Sequence, residues 1–229
     1  MKIGGVQKLS LIDYPGKTSA VFFTVGCNMR CGYCHNPELV LPEQYIESIP
    51  EEEILLFLKT RVGKLQGIVI SGGEPTVQPD LIEFIRKVKN LGFAIKLDSN
   101  GTNPEVLKQI FNKRLIDFIA MDIKGPLDKY QTIVARPIDT ETVQKSIAFI
   151  KQSGVDYEFR TTVVKSQITW DDFDKIGQLI QGAPRYALQK FRPGQTLKSQ
   201  FSHEETYTDE EFEQLKHKME RYVGLCVVH

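Results

Sequence analysis

The sequence predicts an α/β fold with parallel strands, arranged as a partial (β/α)6 barrel of the TIM type, its active site at the C-terminal strand ends. Three observations predict it. Six short apolar runs alternate with segments of helical spacing. Several of those runs are apolar on both faces, as strands of a sheet covered on both sides must be. Chemically unusual residues accompany every strand rather than one. An open doubly wound sheet gathers its site at a single switch point, whereas strand ends around a shared centre suit a barrel.

The predicted strands are SAVFFTV from Ser19, GIVIS from Gly67, AIKLD from Ala94, FIAMDI from Phe118, YEFRTTVV from Tyr157 and YALQKF from Tyr186. Between them lie helices with readable starts. Ser48 and Glu51 have capping-box spacing with Pro50 between them, and Ile54, Leu55, Leu58 and Val62 form one stripe. Leu81, Ile82, Ile85 and Val88 share a face of the next, which Gly92 ends. Asn103 precedes Pro104 at the third, and a fourth runs from Thr140 towards Gly154. Thr169 stands three before Asp172, and Thr208 three before Glu211. The segment LSLIDYPGKTS reads as a lead-in strand and turn beside the cysteines, with Tyr14 packed near them. QTLKSQFSHEETYTDEEF reads as a polar loop feeding the last helix. Residues 1–229 thus form one domain, with a core over about 13–192 and a C-terminal loop and helix over 193–229.

The gross numbers exclude some functions. Twenty-nine basic and 29 acidic residues give a net charge of +0. No basic run is present, so binding nucleic acid by bulk electrostatics is not expected. No apolar run approaches the roughly 18 residues of a membrane span, and MKIGGVQKLS lacks the apolar core of a signal peptide. The expected location is therefore cytoplasmic, where clustered cysteines are more often ligands or catalysts than a disulfide framework.

Three of the four cysteines, Cys27, Cys31 and Cys34, fall within eight residues after the first predicted strand. Their spacing lets three thiolates hold one metal centre. A structural zinc site takes four protein ligands, and iron–sulfur clusters commonly do too. Three thiols leave one position open, unless Cys226 or His35 completes a zinc site. Cys226, in GLCVVH, reads as a small core residue. After the second strand, Gly72 and Gly73 permit close backbone approach to a ligand, and Glu74 offers a carboxylate.

Cys-x3-Cys-x-Tyr-Cys followed by Gly-Gly-Glu resembles the radical S-adenosylmethionine (SAM) superfamily, over about Asp13 to Arg192. CHNPE, SGGEPT, DSNGT and MDIKGPLDKY further resemble the activating enzymes of glycyl-radical enzymes, particularly the activating proteins of anaerobic ribonucleoside-triphosphate reductases. The resemblance implies a 4Fe–4S cluster on Cys27, Cys31 and Cys34, with SAM chelating the uncapped iron. Tyr33 matches the aromatic residue near adenine. Gly72, Gly73 and Glu74 would meet the methionine ammonium, and Arg160 its carboxylate. Asn100 and Gln189 match cofactor contacts. Asp98, Ser99, Ala120 and Asp122 match a monovalent-cation site, with Lys124 beside the aspartates. Flavodoxin or ferredoxin would reduce the cluster. Reductive cleavage of SAM would give a 5′-deoxyadenosyl radical, which takes hydrogen from a glycine of the partner enzyme. Two other readings stand beside this one: a radical SAM enzyme acting on a small molecule, as 7-carboxy-7-deazaguanine synthase does, and a zinc-binding interaction protein.

Overall fold

The computed structural model describes residues 1–229. Eight strands form one sheet in chain order, from β1 (Ile3–Ser10) and β2 (Ser19–Thr24) through β3 (Gly67–Gly72), β4 (Ala94–Ser99), β5 (Phe118–Asp122), β6 (Asp156–Val163) and β7 (Tyr186–Lys190) to β8 (Cys226–Val228). β1 runs antiparallel to β2 and every later pair is parallel. β1 and β8 do not pair, so the sheet is a barrel left unclosed.

The six predicted strands are β2 to β7. The lead-in strand lies further towards the N-terminus than expected, and LSLIDYPG forms its end and the following turn. β8 was not legible, because three residues are too few to show a period of two. Cys226 opens β8 beside Tyr186, at the start of β7. It is fully buried, as a core residue should be.

The helices are α1 (Pro37–Val40), α2 (Glu51–Lys59), α3 (Leu81–Lys89), α4 (Pro104–Asn112), α5 (Tyr130–Val134), α6 (Thr140–Gln152), α7 (Asp172–Leu179) and α8 (Asp209–Met219). The Thr208–Glu211 capping box at α8 forms in full. The one expected at Ser48 does not, because α2 begins at Glu51 behind Pro50. α2 also stops at Lys59, which leaves Val62 exposed outside the stripe. At α7 the Asp172 carboxylate accepts from the Thr169 amide and hydroxyl, so Thr169 bonds from two residues before the N-cap, Asp171, rather than serving as the cap.

Strand alternation sorts the side chains. Ile68 and Ile70 of β3, Ile95 and Leu97 of β4, and Ile119 and Met121 of β5 belong to the main core under the helices. The intervening residues face the lumen. Tyr14, Val21, Val69, Phe118 and Ala120 fill its lower end as a separate apolar cluster. Tyr14 therefore plugs the floor of the barrel, against Gly67 and the Phe118 ring, and does not pack beside the cysteines. Above that plug the lumen changes from apolar to charged.

Candidate active site

The loop after β2 carries the three cysteines. Its backbone is held at several points. The Arg30 amide donates to the Val134 carbonyl, and the Arg30 guanidinium donates to the carbonyls of Cys27 (2.7 Å) and Met29 (2.8 Å). The segment after β7 reaches back over the loop. The Leu197 amide donates to the Cys34 carbonyl (2.8 Å), and the Lys198 amide to the Gly32 carbonyl (2.9 Å). His35 Nδ1 donates to the Gln195 carbonyl, and its ring stacks on Phe191. This strap, read from sequence as a plain polar loop, packs Phe201 against the cysteine motif.

Tyr33 lies between Phe191 and Phe201 in edge-to-face contacts. Its hydroxyl is buried without a hydrogen-bond partner, and its ionisation responds first to burial and then to Cys31 and Lys124. An orphaned donor beside a cysteine fits a metal–sulfur group that would accept from it. Burial pushes the Cys27 thiol up to about 12 and also raises Cys31 and Cys34, so metal binding must displace protons from all three. No three Cys, His, Asp or Glu side chains converge as ligands of a single ion would. Three thiols lining one cavity fit a cluster in which each thiolate would take its own iron. Cys226 sits at the far end of the barrel, and His35 Nδ1 is committed to Gln195, so neither completes a zinc site.

Gly72 and Gly73 let the end of β3 press onto the exit of β2. A Cβ on Gly72, which has φ +108°, would lie 2.3 Å from the Thr24 nitrogen. One on Gly73 would lie 2.1 Å from the Gly26 carbonyl oxygen. The Gly73 amide instead donates to Thr24 O, and the Glu74 amide to Gly26 O, both at 2.8 Å. Glu74 is 1% exposed and ties this loop to the end of β4. Its Oε1 accepts from the Thr76 amide, the Thr76 hydroxyl and the Ser99 hydroxyl, and its Oε2 from the Asn100 amide at 2.6 Å. Burial raises its pKa, and these bonds offset only part of the rise. Oε2 retains room for one further donor.

The charged tier of the lumen is a chain of five residues. Lys96 Nζ donates to Asp98 Oδ1 at 2.5 Å. Arg160 Nη1 donates to Asp98 Oδ2 (3.3 Å) and its Nε to Asp122 Oδ1 (2.9 Å). Lys124 Nζ donates to Asp122 Oδ2 (3.1 Å). Burial alone would raise both carboxyls. Arg160 and Lys96 outweigh it at Asp98, and Arg160 and Lys124 hold Asp122 at about 2. Burial works against the Lys124 ammonium, but Asp122 overcomes it and raises its pKa well above the ordinary value.

One cavity brings most of the predicted residues together. Cys27, Cys31, Tyr33, Cys34, Gly72, Gly73, Glu74, Asp98, Ser99, Asn100, Asp122 and Arg160 all line it. Ala120 does not: its side chain belongs to the floor beneath. Gln189 stands one residue back, accepting at 3.4 Å from Thr162, which does line the cavity. Sequence reading missed Ser71, which donates to Asp98, and Lys96, which lies beneath it. Lys96 was legible in principle, because a lysine two residues before Asp98 on a buried strand must share its face.

Comparison with known proteins agrees with this geometry. The family model described as the radical SAM superfamily matches residues 21–180. A protein of Methanocaldococcus jannaschii named as a glycyl-radical enzyme activating enzyme is 36% identical over 99% of this chain and 95% of its own length. The pyruvate formate-lyase-activating enzyme of Clostridium pasteurianum is 32% identical over 54% of this chain and 52% of its own. Among solved structures, TYW1 with a lysine–pyruvate adduct superposes with a TM-score of 0.64 at 18% identity, covering 90% of this chain and 74% of that one. SuiB of Streptococcus suis bound to S-adenosylmethionine gives 0.65 at 13% identity, over 91% and 51%. These two share the fold. The family's cofactors are a 4Fe–4S cluster and SAM, and the family match, with its three motif thiols lining the shared cavity, shows that the chain belongs to the radical SAM superfamily of enzymes.

Proposed function

We propose that this protein activates a glycyl-radical enzyme, an anaerobic ribonucleoside-triphosphate reductase, by removing a hydrogen from one of its glycines. The observation that carries the reading is the set of three thiols with no fourth ligand in reach. The relative from M. jannaschii, alike over nearly its whole length, supports the choice of substrate class.

Cys27, Cys31 and Cys34 would hold the cluster, which when bound supplies one electron to the SAM sulfonium; flavodoxin or ferredoxin would provide that electron. The chain's own residues bind and orient. Glu74 Oε2 and the Gly72–Gly73 backbone would accept from the methionine ammonium, a charge-assisted contact. Arg160 and Lys124 line the cavity beside Asp98 and Asp122 and would face the carboxylate. Asn100 donates its side-chain amide to Asn28 and accepts from Thr102, which fixes its position at the rim. Tyr33 and Gln189 would flank the nucleoside. The edge-to-face Phe191–Tyr33–Phe201 group would shield the cysteine loop from water on that side. No side chain is required as a general base.

The test is anaerobic reconstitution with iron and sulfide, followed by SAM, reductant and the reductase. A glycyl-radical signal in electron paramagnetic resonance is the expected outcome. Deoxyadenosine release that depends on a small metabolite, with no radical on any reductase, would replace this reading with that of a small-molecule enzyme.

A further inference from the structure

The resemblance to formate-lyase activators leads one to expect a monovalent cation held by Asp98, Ser99, Ala120 and Asp122. The side chains present do not fit that ion. Asp98 Oδ1 is taken by Lys96, and its Oδ2 by both Ser71 Oγ (3.0 Å) and Arg160. Both oxygens of Asp122 are taken, one by Arg160 and one by Lys124. Ser99 donates its hydroxyl to Glu74, and its oxygen accepts from the Gly101 amide. Every side-chain oxygen the ion would use is already bonded to a donor.

Charge points the same way. Lys96, Lys124 and Arg160 set three positive charges against the two of Asp98 and Asp122. The adjacent Glu158 is neutralised by its own partner, Arg185, at 2.9 Å. Glu74, across Ser99, already has four donors. An added cation bridging Asp98 and Asp122 would sit among three cations already held there.

Lys96 is built for the role. It is 1% exposed, with its ammonium between Asp98 above and the Phe118 ring below, 5.9 Å from the ring centroid. A buried ammonium needs a carboxylate partner, and Asp98 supplies it. We infer that Lys96 is a positioning residue that serves as this chain's own cation beneath Asp98, so that cofactor binding requires no monovalent ion. The inference rests on the proposed reading for its link to SAM, and on the lumen geometry alone for the absence of an ion.

Two measurements separate those supports. The first soaks crystals in rubidium or thallium salts and maps anomalous scattering. The wild type should show no peak bridging Asp98 and Asp122, and a peak there overturns the inference. The second measures SAM affinity of the reconstituted protein by equilibrium dialysis in potassium, sodium and tetramethylammonium chloride at equal ionic strength. Wild-type affinity should agree within about twofold across the three salts. A gain of about tenfold in potassium or sodium overturns the inference. Lys96→Met, with Lys96→Gln as a second variant, should admit the ion and acquire that tenfold dependence. Variants that fold, bind SAM equally in all salts and show no peak also overturn it. Failure of SAM to bind in any salt would refute the activase reading, while the anomalous map would still decide the role of Lys96.

Discussion

The Phe201 ring occupies the space that a side chain on Gly32 would need: a Cβ there would lie 2.3 Å from the ring. Gly32 is the residue between Cys31 and Tyr33, so the strap is fitted to the cysteine motif itself. Gly32→Ala should push the strap off the loop. Phe201→Ala should empty the same contact at a cost of about 3 kcal/mol, typical of a buried aromatic truncation. Both variants should lose hydrogen-exchange protection over 195–204 and release iron to a chelator faster than wild type. Unchanged exchange and iron release in both would contradict the strap's role.

Cys31 and Cys226 should respond in opposite ways to substitution. Cys31→Ala should abolish retention of a four-iron cluster while leaving the fold intact. Cys226→Ala, deep in the core at β8, should keep full iron content and lower stability by about 1 kcal/mol. Iron and sulfide analysis with thermal melts would check both. Full cluster content in the Cys31 variant would refute the ligand assignment.

Arg160 joins the two aspartates, and its removal leaves both short of a partner. Arg160→Ala should destabilise the protein by about 3 kcal/mol or more, as breaking a buried ion pair from one side does. Arg160→Lys should recover only part of that, since one ammonium cannot reproduce the two-nitrogen bridge from Nε and Nη1. Denaturant titration reads the difference.

Asp122 sets a pH window. Its folded pKa is about 2, against about 3.9 for an unfolded aspartate. The unfolded chain therefore takes up the proton first as pH falls. The stabilisation, roughly 2–3 kcal/mol, should be complete above about pH 5 and decline as pH drops through 4 towards 2. The stability gap between wild type and Asp122→Asn should be flat from pH 7 to 5 and shrink below 4. A gap that shrinks between pH 7 and 5 would contradict the assignment.

Gly73→Ala should be among the most damaging single changes, because the clash is with backbone rather than a movable side chain. A loss of more than about 3 kcal/mol is expected, accompanied by weakened SAM binding. A melting temperature within a few degrees of wild type would show that the β2 exit can yield.

Much of this was legible because the chemistry is local. Cys27, Cys31 and Cys34 lie within one loop, and each predicted strand is a contiguous run. What escaped was set by distant partners. Tyr14 belongs to the floor because Gly67 and Phe118 leave room for it there, and nothing in LSLIDYPG encodes that. Glu74 reads as a free carboxylate until Ser99 and Asn100, from another strand end, bond to it. Ser48 and Glu51 have the right spacing for a cap, but Pro50 at extended backbone angles delays the helix.

The strap has a consequence for how the protein is made. His35 and the Gln195 carbonyl that it contacts are 160 positions apart. At a synthesis rate of about 5–20 residues per second, roughly 8–32 s separate their emergence from the ribosome. During that interval the cysteine loop is in the cell without its clamp, open to iron carriers and to oxygen alike. Loading before the clamp arrives would meet an unclamped loop, and loading afterwards would have to enter through the cavity that Cys27 and Cys34 line.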